Sequence, residues 1–133
     1  MMDAGTRQFV LQRAERVCEY CRMSQVALPF LTFHVEHIRA QQHIEDDSLD
    51  NLALACPHCN FHKGPNLTSI DPATGDVVEL FNPRQQLWEE HFAVEEARII
   101  GRTPTGRVTA RLLQMNSETQ MKIRARLIAR GEF

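Results

Sequence analysis

Cys56-Pro57-His58-Cys59-Asn60-Phe61-His62-Lys63-Gly64 is the segment from which the fold can be read. Two cysteines separated by two residues can aim both sulfurs at one ion from a tight turn, and Pro57 suits the first turn of a helix running through about His62, which Gly64-Pro65 stops. A second pair, Cys18-Glu19-Tyr20-Cys21, lies upstream, and the two pairs account for all four cysteines. Four thiolates arranged this way are the donor set of a structural Zn²⁺. Two local disulfides or a redox dithiol are the alternatives, the second of which expects one pair beside a βαβ pattern that this sequence lacks. Metal is preferred because the chain opens Met-Met-Asp and runs into charged residues without the apolar stretch of a secretory signal. It is therefore expected in the cytoplasm, where thiols stay reduced. The 34 residues between Cys21 and Cys56 exceed the spacing of a compact zinc finger, so a structured insert is expected between the knuckles.

Within that insert, Leu31-Thr-Phe-His-Val-Glu-His-Ile38 is rich in β-branched and aromatic residues and predicts a strand. Residues 39–50 are polar and acidic and predict a loop, and Asn51-Leu-Ala-Leu-Ala-Cys56 has the length of a second strand. Upstream, Thr6 is expected to cap a helix from about Arg7 to Val17, with Val10, Ala14 and Val17 on one face. Downstream, Asp71-Pro-Ala-Thr-Gly-Asp76 is a turn feeding a β segment over Val77 to Phe81, and Ala97 to Gly101 offers another strand. Thr105 is expected to cap a helix carrying Val108, Leu112 and Met115. Ser117 with Gln120 forms a capping-box pattern opening a final helix that Gly131 closes.

The 133 residues, 43% hydrophobic with 6 Gly and 6 Pro, describe one soluble domain without repeats or low-complexity segments. The longest nearly apolar run, Val26 to Phe33, is broken by Pro29 and falls far short of the roughly 20 residues of a membrane span. The net charge of −2 argues against a nucleic-acid partner when taken as a mean, but it is unevenly sorted. Residues 1–97 hold 7 Lys/Arg against 15 Asp/Glu, whereas residues 98–130 hold 8 basic residues and one acid, Glu118. In the last predicted helix Lys122, Arg126 and Arg130 recur every four residues, and Arg107 and Arg111 repeat that spacing on the preceding one. Such a tail suits backbone contact with nucleic acid, which positions a duplex without reading its sequence.

Between the cysteine pairs lie His34, Glu36, His37, Asn51, Asn60 and His62, a set suited to metal-assisted phosphate chemistry. Glu36 and Asn60 are hard oxygen donors of the kind Mg²⁺ accepts, and an imidazole such as that of His37 can take a proton from water. Asn60 follows a zinc ligand directly, so the zinc would hold it in register. His62 is a further candidate, for the ion or for phosphate, and Arg39 and Lys63 are candidate phosphate contacts. His34 is a candidate substrate contact or a structural histidine. His43 and His58 carry no expected role, and Trp88, His91 and Phe92 are expected to pack within the extension. Glu36 and His37 are neighbours, and neighbours in a regular strand face opposite ways, so a strand end or bulge is required there.

In order along the chain, Cys18-x-x-Cys21, Glu36-His37-Ile38, Asp50-Asn51-Leu52 and Cys56-x-x-Cys59-Asn60-x-x-Lys63-Gly64 closely resemble the HNH endonucleases. The resemblance covers roughly residues 14–64. Phe81-Asn-Pro-Arg84, Trp88-x-x-His91-Phe92 and Gly101-x-Thr-x-x-Gly106-Arg107 look like the C-terminal extension of a bacterial branch of that family. The resemblance implies an α+β fold with a ββα-metal (His-Me finger) core stapled by the four-cysteine zinc site, followed by a small β segment and C-terminal helices. A single domain over 1–133 would comprise a zinc-stapled core at 7–66 and a β/helical extension with the basic tail at 67–133.

The same resemblance implies hydrolysis of DNA phosphodiester bonds, with DNA, most naturally double-stranded, as the partner and no obligate protein partner evident. It makes His37 the general base, Glu36 and Asn60 the ligands of a catalytic Mg²⁺ or another divalent ion such as Mn²⁺ or Ni²⁺, and Asn51 the residue that steadies the loop beside the base. Products would be 5′-phosphate and 3′-hydroxyl ends. Asn60 stands where many members have His, and Glu36 where Asp is commoner. The competing reading is a zinc-stapled nucleic-acid-binding module without catalysis.

Overall fold

Leu52-Ala-Leu-Ala55 is buried along its whole length, which is why an apolar run of only four residues can serve as a strand: it has protein on both faces. In the computed structural model, which describes residues 3–133, this strand (β2, Leu52–Ala55) pairs antiparallel with β1 (His34–His37), placing Glu36 opposite Ala53 and His37 opposite Leu52. A short 3-10 turn (Leu49–Asn51) leads into β2, and α2 (Pro57–Lys63) follows it directly, with Pro57 in its first turn. The expected strand-loop-strand-helix unit is therefore present. Its first strand is shorter than the 31–38 expected. The Gln25 side chain donates to Leu28 O at 3.1 Å and to Leu31 O and accepts from Phe33 N at 2.9 Å, so the chain before His34 is held by a side chain rather than by a sheet.

The first helix, α1, spans Ala4–Arg13, earlier than the expected 7–17. Asp3 caps it, accepting from Thr6 N at 2.7 Å, so the expected cap Thr6 lies inside the first turn. Glu15 and Arg16 both have φ near +55° (55° and 58°), and this left-handed pair ends the helix and turns the chain into Cys18. Val10 and Leu11 pack into the core.

Beyond α2 come β3 (Thr68–Ile70) with β4 (Val77–Glu79), then α3 (Trp88–His91), then β5 (Phe92–Glu95) with β6 (Arg98–Gly101), each strand pair an antiparallel hairpin. The expected β segment and strand are β4 and β6. Their partners β3 and β5 went unread because Thr68-Ser-Ile70 is too short and polar to signal a strand, and Phe92 begins one immediately after a helical turn. The last helices are α4 (Pro104–Leu112) and α5 (Glu118–Ala129). Thr103 caps α4, accepting from Gly106 N at 3.1 Å, in place of the expected Thr105. Pro104 occupies the first helical turn, where its missing N–H costs nothing. Ser117 caps α5 as expected, and Gly131, at φ +72°, follows its end. Gly106 allows α4 to lie against the preceding segment: a Cβ there would come within 2.0 Å of His91 O.

One buried cluster unites both halves of the chain, running from Val10, the four cysteines and β2 through Trp88, Phe92 and Ile99 to Leu113, Met115 and Leu127. Trp88 donates its indole N–H to Tyr20 O at 2.7 Å, and Arg84 pairs with Glu19, so the extension is bonded to the residues between the first two cysteines. Among the described residues no helix is long and apolar enough to cross a membrane.

Candidate active site

The four cysteine sulfurs all lie within 4.8 Å of one another and all four residues are buried. Sulfurs held at about 2.3 Å around a tetrahedral zinc stand about 3.8 Å apart, and Cys21 Sγ is 3.7 Å from Cys56 Sγ. That separation is far beyond the ~2.05 Å of a disulfide bond, and all four are free thiols. Cys21 N donates to Cys18 Sγ and Cys59 N to Cys56 Sγ, each at 3.4 Å, so each two-residue gap closes a turn around its first sulfur. Burial opposes charge on Cys18, yet hydrogen bonds from Cys21, Cys56 and Cys59 outweigh it and hold its thiol well below the ordinary range. The donor set and its spacing fit zinc, and none of the four cysteines is joined in a disulfide.

The catalytic candidates are positioned by the two strands and the helix that the cysteines clamp. His37 is the last residue of β1, which meets the requirement for a strand end. Glu36, His37 and Asn60 line one cleft of ≈ 330 Å³, together with Ala40, Gln41, Gly64 and Pro65. Glu36 is buried, and both its oxygens are engaged. The Tyr20 hydroxyl donates to Oε1, and Lys63 Nζ stands 3.2 Å from Oε2 while also donating to Ile38 O at 2.9 Å. Burial pushes the Glu36 carboxyl up, against the pull of the Lys63 charge and the Tyr20 hydrogen bond. Burial, together with the Glu36 charge, pushes the Tyr20 phenol well above its ordinary range, so it remains a donor.

Residues 18–66 match the family model described as HNH endonuclease. With the cysteine cluster inside the matched segment, that decides the assignment. The chain carries an HNH domain. No curated protein and no solved structure matched the chain in the other two comparisons. HNH domains are nuclease or nucleic-acid-binding units, and the zinc knuckle of this one is formed by Cys18, Cys21, Cys56 and Cys59.

The HNH domain contains a loop, residues 38–50, that is stapled at both ends by one side chain. Asn51 accepts from Arg39 N at 2.9 Å and donates to Arg39 O at 3.0 Å and Asp46 O at 2.8 Å. Its own carbonyl accepts from Ile38 N at 2.8 Å. His37 Nε2 lies 2.8 Å from Asp47 Oδ1 across that loop. His43, without an expected role, bonds to Pro65 O at 2.9 Å and ties the loop to the end of α2.

Several expected site residues lie elsewhere in the HNH domain or serve another purpose. Lys63 is 2% exposed, and its ammonium is engaged by Glu36 and the backbone rather than presented to solvent. His62 does not line the cleft; its ring stands 4.3 Å from that of His58, which in turn bonds Gln114 O. His34 is exposed at the start of β1 and does not line the cleft. Arg39 is exposed.

The basic tail divides in the same way. Arg107 makes a two-pronged ion pair with the buried Asp71, its Nε 3.0 Å and Nη2 2.8 Å from the two carboxylate oxygens. Arg111, Lys122, Arg126 and Arg130 are exposed, Lys122 with Glu118 beside it at 2.9 Å. Arg124 is fully buried, donating to Ala97 O and Met115 O at 2.7 Å each.

Tyr20, Asp47, Asp71 and Arg124 went unread because none has a motif partner nearby in sequence. The one signal was a hydroxyl between two cysteines at Tyr20.

Proposed function

We propose that this protein is a metal-dependent endonuclease that hydrolyses DNA phosphodiester bonds, with His37 as general base and a divalent ion held by Glu36 and Asn60. The observation that supports the reading is the shared cleft: His37, Glu36 and Asn60 all line it, on a strand-strand-helix unit bounded by the four clustered cysteines. A carboxylate has about four lone-pair sites, so Glu36 can serve an ion while Tyr20 and Lys63 hold it. These two partners supply what a metal ligand needs from its surroundings, a fixed orientation and a settled charge. A hard divalent ion there, Mg²⁺ or Mn²⁺, supplies Lewis-acid stabilisation of negative charge developing on the phosphate and its departing oxygen.

His37, which lines the cleft, takes the proton from a water aligned for attack at phosphorus. Asn51 keeps the loop beside it closed. In this reading the zinc-stapled core, residues 7–66, carries the chemistry. The extension, residues 67–133, adds sequence-independent contacts to the duplex backbone through Arg111, Lys122, Arg126 and Arg130, with Arg39 nearer the cleft.

One observation favours the non-catalytic alternative: both Glu36 oxygens already have protein partners. Incubating supercoiled plasmid with the zinc-loaded protein and Mg²⁺, Mn²⁺ or Ni²⁺ separates the two. An endonuclease nicks or linearises the plasmid and His37→Ala does not. Equal behaviour of the two proteins with every metal would leave a binding module.

A further inference from the structure

We propose that Asp47 is a positioning residue for His37, its carboxylate accepting a hydrogen bond from Nε2–H and so fixing the imidazole in the tautomer whose Nδ1 lone pair is free for the attacking water. The proposal rests on the nuclease reading above and adds to it the group that sets the state of the base. A neutral imidazole has one protonated nitrogen and one basic nitrogen, and the partner of the first selects which is which. At 2.8 Å from a carboxylate oxygen, Nε2 is the protonated one. Proton abstraction then leaves an imidazolium whose Nε2–H still faces the Asp47 charge, so the same contact that orients the ring also stabilises the state formed on taking the proton.

An exposed His–Asp pair is commonly no more than a surface contact, and Asp47 is exposed. Five further hydrogen bonds set this one apart. Gln41 Nε2, from the cleft wall, donates to the same Asp47 oxygen at 3.3 Å. Asn51 grips the loop two residues after His37, at Arg39, and one residue before Asp47, at Asp46. Ser48 N donates to Asp46 Oδ1 at 2.9 Å and fixes the turn on the far side of Asp47. The backbone on either side of the pair is therefore clamped by one asparagine, and the separation between base and partner follows from that clamp rather than from the two side chains meeting by chance. Asn51 acts on the base through Asp47 as well as through the loop. The His37 carbonyl is also approached from below by Lys63 Nζ at 3.4 Å, so main chain and ring are both held.

The experiment uses the full-length, zinc-loaded protein. Long-range ¹H–¹⁵N correlation spectra of histidine-labelled protein read the His37 tautomer without any need for turnover. The expected result is the Nε2–H form in the wild type and a mixture of tautomers in Asp47→Ala. In plasmid cleavage with Mg²⁺ or Mn²⁺, Asp47→Ala is expected to lose roughly 10- to 1000-fold in kcat, within the range of a general base's contribution, with KM little changed. Asp47→Glu should recover part of the rate, and His37→Ala/Asp47→Ala should be no slower than His37→Ala alone, because the two act as one unit. Zinc content and circular dichroism confirm that each variant is folded, and Asp47→Asn replaces Asp47→Ala if the latter is not. An unchanged tautomer, or wild-type cleavage by Asp47→Ala while His37→Ala is inactive, overturns the pairing and leaves the nuclease reading standing. Wild-type cleavage by His37→Ala overturns both.

Discussion

Tyr20, which sits between the first two zinc-binding cysteines, donates its hydroxyl to the carboxylate of Glu36. Its neighbour Glu19 accepts from Leu54 N at 2.8 Å and pairs with Arg84, so both residues enclosed by the first knuckle reach outward. The second knuckle opens the helix that carries Asn60 and Lys63. Both knuckles therefore bear on Glu36, one through a phenol and one through an ammonium. The metal site that staples the fold is mechanically continuous with the cleft.

Removing the zinc should abolish the cooperative fold. Structural zinc sites contribute on the order of 10–16 kcal/mol, against about 5–15 kcal/mol for the whole stability of a typical domain. One zinc per chain by elemental analysis, and loss of the thermal transition on chelation or in Cys56→Ser, are the expected outcomes. A stripped protein with a full transition would show that the cysteines do not staple the domain.

Lys63 offers a test of structure against substrate contact. Lys63→Met strands a buried Glu36 charge and should cost about 3–5 kcal/mol in chemical denaturation. Glu36→Gln in the same chain removes the stranded charge and should recover part of that loss. Were Lys63 a phosphate contact, Lys63→Met would keep its stability and weaken DNA binding instead.

Acid stability should report on Asp71. The Arg107 guanidinium, followed by the Ala73 N–H, holds this carboxyl down from 3.8 to about 2. Because the folded value is the lower one, the contribution to stability is complete above about pH 4 and is lost as the pH falls through about 2. Asp71→Asn should flatten the dependence of the melting temperature on pH across that window, and the wild type should become markedly less stable within it.

Salt titrations should sort the basic tail. If Arg111, Arg126 and Arg130 meet phosphates, changing each to Gln lowers the slope of log affinity against log salt by roughly 0.9 per contact, uniformly across DNA sequences. Arg107→Gln should leave that slope unchanged and lower the melting temperature. A slope that fails to respond to all three exposed arginines would remove the tail from the DNA interface.

The features readable from the chain were those whose physical cause is local. A Cys-x-x-Cys pair closes within one turn, Ser117 caps the helix three residues before Gln120, Gly131 ends it, and Pro57 starts α2, so each could be placed without knowing what packs against it. The packing of the two strands against the helix also followed, because two cysteine pairs facing one site draw together the segments between them. Charge roles were not local. Lys63 and Arg107 look alike as exposed cations in a sequence, and their pairing is set by Glu36 and by Asp71, 36 residues away from Arg107, across packed surfaces that no spacing encodes. Asp47 is one of several acids in a polar loop, and it meets His37 because Asn51 draws Arg39 and Asp46 together. The cysteine cluster was written in residue types and short gaps; which other charged side chains stayed unpaired depended on the partners that folding brought to them.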